Sequence, residues 1–271
     1  MLRPYLRPFS MLSLTQGHLR LLEICPRRYQ YTYLEHHTVP TDPAVLERQR
    51  WGTEFHRVMQ QRDLGLPVDD VLQADAALGA AVNGLLAAAP ELFVPQPEGF
   101  RQSEHRRTLT FNGYALTAIY DLLIVGPTSA QIIDWKTYQR PTEQAQLAKE
   151  WQTRLYLYLL VETSHLAPEQ VSMTYWFVAP PTAQAAPAPP SSITIAYTAT
   201  QHRHTEADLQ RLTDQLSDLL AMEADLPQVE AGQGYCTQCP FAVRCQRSSE
   251  RYGLEGSLVL PAIADIAEVP L

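Results

Sequence analysis

Two short runs decide how this chain is read: Ala118-Ile119-Tyr120-Asp121-Leu122-Leu123-Ile124 and, after Gly126-Pro127, Ile132-Ile133-Asp134-Trp135-Lys136-Thr137. Each is apolar, and the glycine–proline turn separates them, so they read as neighbouring buried strands. Residues two apart on a strand face the same way, so Asp134 and Lys136 project together while Ile133 and Trp135 face the other side. An acid and an amine on one face also fit an exposed cross-strand pair. Asp121 argues against that, because it interrupts an otherwise apolar strand, and a carboxylate is rarely buried without a partner or a metal. Two carboxylates on adjacent strands make a site for Mg²⁺, which prefers oxygen ligands and keeps several waters. A lysine beside them would orient the attacking water, and together they would hydrolyse a phosphodiester.

The pattern extends outward from these strands. Ser103 to Phe111 reads as a strand, Asn112-Gly113 is a type I′ hairpin signal, and Tyr114 to Val125 is the return strand. Ala130 to Thr137 is the third strand of this meander, and Ala145 to Thr163 is helical by period. Gln152 and Tyr156 stand four apart there and share a face. Val171 to Val178 reads as a buried strand, Pro180 to Pro190 as a loop with five prolines, Ile193 to Tyr197 as a short edge strand and Glu206 to Met222 as a final helix. Upstream, Ser13-Leu14-Thr15-Gln16 has the form of a capping box that opens a helix towards Cys25. A helix over Ala44 to Gln61 carries Trp51, Phe55, His56 and Met59, and the alanine- and leucine-rich Val68 to Ala89 reads as another. Taken alone, His56 fits a satisfied core histidine better than a ligand. The order of helices, meander, helix and strand gives a mixed α/β fold with one central sheet.

The 271 residues, 45% of them hydrophobic, suffice for one large domain or two small ones with a substantial core. The expectation is a single domain: a helical part at 10–90, a core at 100–200 and a cysteine segment at 230–250. Met1 to Leu12 mixes Arg3, Pro4, Arg7 and Pro8 into any apolar run, which is unlike a signal peptide. No stretch approaches the roughly twenty apolar residues of a membrane span. A cytoplasmic chain without a membrane partner is expected. The net charge of −8 excludes a simple nucleic-acid-coating protein, yet residues 1–62 carry nine arginines against five acids, which leaves room for a local basic face. Only Lys136 and Lys149 are lysines among the 21 basic residues, and a lysine kept at 136 suits a site that needs a compact ammonium. The apolar tail Gly253 to Leu271 fits a sheet edge, a lid or a docking segment equally well.

All four cysteines sit near the ends: Cys25, and then Cys236, Cys239 and Cys245 as C-x2-C-x5-C, more than two hundred residues later. In a reducing compartment they read as ligands or plain thiols. Four thiolates suit a tetrahedral zinc or an iron–sulfur cluster, and one shared centre would clasp the two ends of the fold.

In order along the chain, these residues resemble the RecB/AddB-like branch of the PD-(D/E)XK nuclease superfamily, including its CRISPR-associated single-domain iron–sulfur nucleases. Ser13 with Cys25-Pro26-Arg27-Arg28-Tyr29 is similar to the N-terminal cysteine element, and Gly52-Thr53-Glu54-Phe55-His56 to the glycine–histidine helix. Glu104 matches a strand glutamate often found before the metal aspartate, whose place Asp121 takes. Ile133-Asp134-Trp135-Lys136-Thr137 resembles the D/E-x-K core, Gln152 and Tyr156 the glutamine–tyrosine helix, and Cys236 through Cys245 the terminal cysteine element. Tyr138 departs from the pattern, since glycine is common after the threonine.

The resemblance implies a central mixed sheet flanked by helices, with the chain ends joined by a four-cysteine cluster. It implies His56, Asp121, Asp134 and the carbonyl of Trp135 as ligands for Mg²⁺ or Mn²⁺. Lys136 is the implied catalytic lysine, Gln152 and Tyr156 are helpers around DNA, and a [4Fe–4S] cluster, or zinc in its place, sits on the cysteines. The expected activity is a metal-dependent DNA nuclease, an exonuclease acting on ends or single strands in repair, recombination or CRISPR-type processing. A catalytically silent DNA-end-binding module and a zinc-clasped hydrolase of another substrate are the alternatives. No G-x4-G-K-[ST] is present, so any helicase would be a separate chain.

Overall fold

The computed structural model describes residues 11–94, 99–138, 144–180, 188–222 and 224–248. Residues 1–10, much of the proline-rich loop (181–187) and the apolar tail lie outside the described residues. The chain forms two compact units: one comprises the described residues up to Arg20 with Pro40–Ser217, the other Leu21–Val39 with the described residues from Asp218 onward.

The first unit is a mixed α/β body around one sheet. It opens with β1 (Ser13–Leu14) and α1 (Gln16–Ile24), the latter leading into the second unit. Helices α3 (Pro43–Asp63), α4 (Asp69–Ala74) and α5 (Ala76–Ala88) follow the short α2 (Pro26–Tyr29) of the second unit. The meander is β2 (Phe100–Phe111), β3 (Tyr114–Val125) and β4 (Ala130–Lys136), and then come α6 (Gln144–Lys149), α7 (Trp151–Glu162), β5 (Val171–Phe177), β6 (Ser191–Ala196) and α8 (Ala199–Ala221). Asn112 and Gly113 have φ of 47° and 82°, the two positive values that a type I′ turn requires.

Strand β3 organises the sheet. One edge pairs with β2 along its whole length. The other edge pairs first with β1, in parallel at Ala115 and Leu116, and then with β4, antiparallel from Leu122 to Val125. Strand β4 continues along β5 in parallel through Lys136, and β6 closes the order. The sheet therefore forks: β1 and β4 share one edge of β3, and the crotch of the fork lies just before Leu122.

Helices cover both faces. On one, Phe55, Val58 and Met59 of α3 and Leu78, Val82 and Leu85 of α5 bury against Leu122, Ile133 and Trp135. On the other lies α7, buried at nearly every position from Leu155 to Leu160. There the Tyr120 hydroxyl donates to the Tyr156 carbonyl at 3.0 Å, and Thr153 and Tyr175 share a hydrogen bond of 2.7 Å. Helix α8 adjoins α7 through an Arg154–Asp208 ion pair at 2.5 Å and the stacked rings of Tyr158 and His202.

Four local expectations change. Ser13 does not cap a helix: Ser13-Leu14 pairs with β3, which satisfies its backbone and buries Leu14, while Thr15 stands before α1 with its hydroxyl 2.9 Å from His18 Nδ1. The helix expected over Val68 to Ala89 breaks at Asp75, whose extended backbone lets its carboxylate accept the Leu78 N–H at 2.9 Å as an N-cap. The helix expected over Ala145 to Thr163 breaks at Glu150, again in an extended conformation. The last helix starts at Ala199, before the expected Glu206.

The turn between α4 and α5 depends on Gly79, where a Cβ would come within 2.7 Å of the Leu72 carbonyl oxygen. Backbone cannot yield as a side chain can, so Gly79→Ala should cost about 1–3 kcal/mol, read as a lowered urea midpoint. Gly84→Ala on the same helix would meet only the Pro190 ring at an ordinary 3.6 Å and should be neutral or mildly stabilising. Equal midpoints for the two variants would contradict this packing.

Candidate metal and catalytic centre

Asp121 sits at the crotch of the fork. With β4 diverging from β3 there, the Trp135 N–H is left to a side chain, and it donates to Asp121 Oδ2 at 2.7 Å. Strand β2 distorts at the same level. Its ladder joins Ser103 to Leu122 and His105 to Tyr120, and Glu104 between them has φ of 50°. The distortion switches faces along β3, since Tyr120 packs on α7 and Leu122 on α3 and α5. Asp121, at the switch, turns towards α3 beside Glu104.

His56 arrives from α3. Its Nδ1 lies 3.3 Å from Asp121 Oδ1, and one ligand atom from each of His56, Glu104 and Asp121 falls within 4.8 Å of the other two. Gly52 allows this approach one turn earlier. A Cβ there would stand 2.7 Å from the Thr137 hydroxyl and 3.7 Å from its Cβ, so α3 packs closely on the end of β4 at this turn.

Asp134 and Lys136 share a face as the strand period requires. Lys136 Nζ lies 2.6 Å from Asp134 Oδ2 and donates to Gln152 Oε1 at 2.8 Å, and Gln152 Nε2 donates to Asp134 Oδ1 at 2.5 Å. One amide of α7 thus holds both members of the pair. Tyr156 is buried behind it, its hydroxyl hydrogen-bonded to Gln152 and to the backbone of Ile119 and its ring 5.2 Å from that of Tyr120. Trp135 projects into the opposite core with Ile133.

The electrostatics of the site are those of crowded, partly buried carboxylates. Burial pushes the Asp134 carboxyl well above the usual range, and the nearby Asp121 pushes it further, against the pull of Lys136. Glu104 is raised by burial and then by Asp121. His56 and Lys136 are both raised: burial opposes the charged form of each, and the surrounding carboxylates outweigh it. Asp134 is only 3% exposed, and its Oδ2 meets Lys136 as an ion pair but has no aligned hydrogen-bond donor among the described residues. A buried oxygen in that condition, among hard carboxylate donors and one imidazole, fits a divalent cation. The sequence does not mark Glu104 as a ligand by itself, because it lies inside the unbroken polar run from Arg101 to Thr108 of β2. The opposing Asp121 and the resemblance are the signals that would have included it.

The four cysteines all belong to the second unit. There Arg27 donates to the Leu226 carbonyl at 2.5 Å, and the fully buried Gln30 donates to Asp225 and accepts the Leu226 N–H at 2.7 Å. These bonds tie the N-terminal segment to the C-terminal one, and the Val229 N–H then points at Cys25 Sγ from 3.4 Å. Cys239 packs with Tyr31, Phe241 and Ala242. Burial raises the Cys245 thiol pKa, and Cys239, Cys25 and Cys236 raise it further.

Gly52→Leu, too large for rotation of the Thr137 hydroxyl alone to clear, should push α3 away from Thr137 and take His56 with it. Mn²⁺ affinity, measured by titration calorimetry, should fall several-fold while the circular dichroism spectrum stays as in the wild type. Unchanged Mn²⁺ affinity would show that the close approach does not set the site.

The crystal structure of SSO0001 is similar at 14% identity and a TM-score of 0.40, over 88% of this chain and 87% of that one. That of a "Putative exonuclease" from Eubacterium rectale is similar at 10% identity and a TM-score of 0.48, over 83% of this chain and 86% of that one. No curated protein matches the chain. A profile of the PD-(D/E)XK nuclease superfamily matches residues 13–246, which takes in β1, the forked sheet, α7 and all four cysteines. The chain belongs to the PD-(D/E)XK nuclease superfamily.

Proposed function

We propose that the chain is a metal-dependent deoxyribonuclease, an exonuclease acting on single strands or ends in DNA repair, recombination or CRISPR-type processing, with any unwinding left to a separate helicase in the same cytoplasm. The observation that carries this reading is the convergence of Glu104, Asp121 and His56 beside an Asp134–Lys136 pair fixed by Gln152. Glu104, Asp121, Asp134 and His56, with the Trp135 carbonyl, would hold Mg²⁺ or Mn²⁺. When bound, such a cation neutralises charge on the phosphate and lowers the pKa of water.

The chain's own residues do the rest. Lys136 presents a compact ammonium to a non-bridging phosphate oxygen and orients the attacking water, so that it stabilises the charge that builds on the phosphate as the water oxygen bonds to phosphorus and the bridging oxygen leaves. Gln152 keeps Lys136 and Asp134 in register, and Tyr156 fixes Gln152 from behind. Both act as positioning residues. Asp134→Ala and Lys136→Ala should each lower cleavage of end-labelled DNA by about a hundredfold or more, the scale on which one transition-state donor acts, without loss of fold. Lys136→Arg should also be poor, because a planar fork does not replace a point charge in a tight site. The assay compares single- and double-stranded substrates with Mg²⁺ or Mn²⁺ and then with EDTA. A Lys136→Ala protein with full, EDTA-sensitive activity would sink the assignment.

The four thiols of the second unit fit a [4Fe–4S] cluster, or zinc as the alternative, because mutual repulsion between thiolates is relieved by a bound cationic centre. A shared centre would cross-link positions more than two hundred residues apart and so remove much chain entropy from the unfolded state. Cys25→Ala should give a colourless protein that lacks iron and sulfide and yields to limited proteolysis first in residues 21–39. Four irons retained per chain would exclude Cys25 from the centre, and a colourless wild type containing zinc would replace the cluster with zinc.

A further inference from the structure

We propose that Tyr138 is a stacking platform for an unpaired base next to the scissile phosphate, so that the enzyme takes a single strand or a frayed end into its site. The inference rests on the nuclease reading and adds a specificity residue to it.

Tyr138 follows directly on Lys136-Thr137, and Gly52 pins that end of β4 against α3. The residue is 49% exposed beside a polar site. It is held rather than free to swing, since it meets the Phe177 ring edge-on, at 5.8 Å between centroids and 66° between planes. The contact occupies only part of the side chain, which stays half exposed.

Two grooves meet at this ring. One, of about 1030 Å³, runs along α3 past Arg48, Gln49 and Thr53 to His56, Glu104 and Asp121. The other, of about 270 Å³, is lined by Arg20, Gln16, Trp151 and Gln152 and reaches Lys136. Tyr138 lines both, with Glu104 and Asp121 in the first groove and Lys136 in the second. An exposed arginine stands in each groove, Arg48 in one and Arg20 in the other, which suits phosphates on either side of a cleaved bond.

The half-exposed side chain selects the strand form. In a duplex the bases cover one another's faces and offer only their edges to a protein. An aromatic ring is covered only by a base that has left its stack, and such contacts tolerate any sequence because every base has a π-face.

The test measures binding in a Lys136→Ala background, which separates it from cleavage. Fluorescence anisotropy with Mg²⁺ compares a labelled single-stranded oligonucleotide with a blunt duplex of the same sequence. Tyr138→Ala should weaken single-strand binding about tenfold and duplex binding little, and Tyr138→Phe should restore it, since one base–ring stack is worth about that factor. 2-Aminopurine placed beside the cleavage position should be quenched by the Tyr138 and Phe proteins and not by the Ala protein. Equal binding by Tyr138 and Ala proteins, or equal losses on both substrates, would overturn the stacking role while leaving nuclease activity standing. A protein that neither binds nor cleaves any DNA would overturn both.

Discussion

A single hydrogen bond, from the Trp135 amide to the Asp121 carboxylate, holds the fork of the sheet in working order. Strand β3 gives one edge to β1 at Ala115 and Leu116 and to β4 from Leu122 onward. Where the two partners part, a main-chain donor would otherwise be orphaned inside the protein, at a cost of about 1–3 kcal/mol. A side-chain carboxylate answers it and is thereby fixed at the crotch. Glu104 bends out of the β2 ladder opposite, α3 brings His56 across the gap and β4 carries Asp134 and Lys136 past it. The site is therefore a consequence of strand divergence.

Most of the sheet is legible in the sequence because its signals are local. Asn112-Gly113 fixes the hairpin, Gly126-Pro127 the next turn, and the period of two puts Asp134 and Lys136 on one face, where their ion pair is found. What escapes is what non-local pairing decides. Ser13-Leu14 is too short to announce a strand, and only Ala115 and Leu116 make it one. Asp75 and Glu150 break helices through extended backbones that an apolar period does not register. Glu104 reads as one more polar residue in the unbroken polar run from Arg101 to Thr108, and its place emerges from a φ of 50° opposite Asp121.

The second unit follows a similar economy. Gln30 and Arg27, unremarkable in sequence, bind the backbone at Leu226 and carry the stretch before the cysteine segment to Cys25. Ordinary hydrogen bonds thus bring the backbone at Val229 to Cys25 Sγ. The profile match to residues 13–246 covers both ends of that arrangement, as the order of the motifs suggested.

The central claim is that the acidic crotch of the fork is a divalent-cation centre. Anomalous diffraction from crystals soaked in MnCl₂, recorded near the manganese absorption edge, tests it most directly. The account predicts a peak within bonding distance of Glu104, Asp121 and Asp134, with His56 completing the set, and its loss in Asp121→Asn crystals. Manganese bound elsewhere on the chain, with none among these carboxylates, would contradict it.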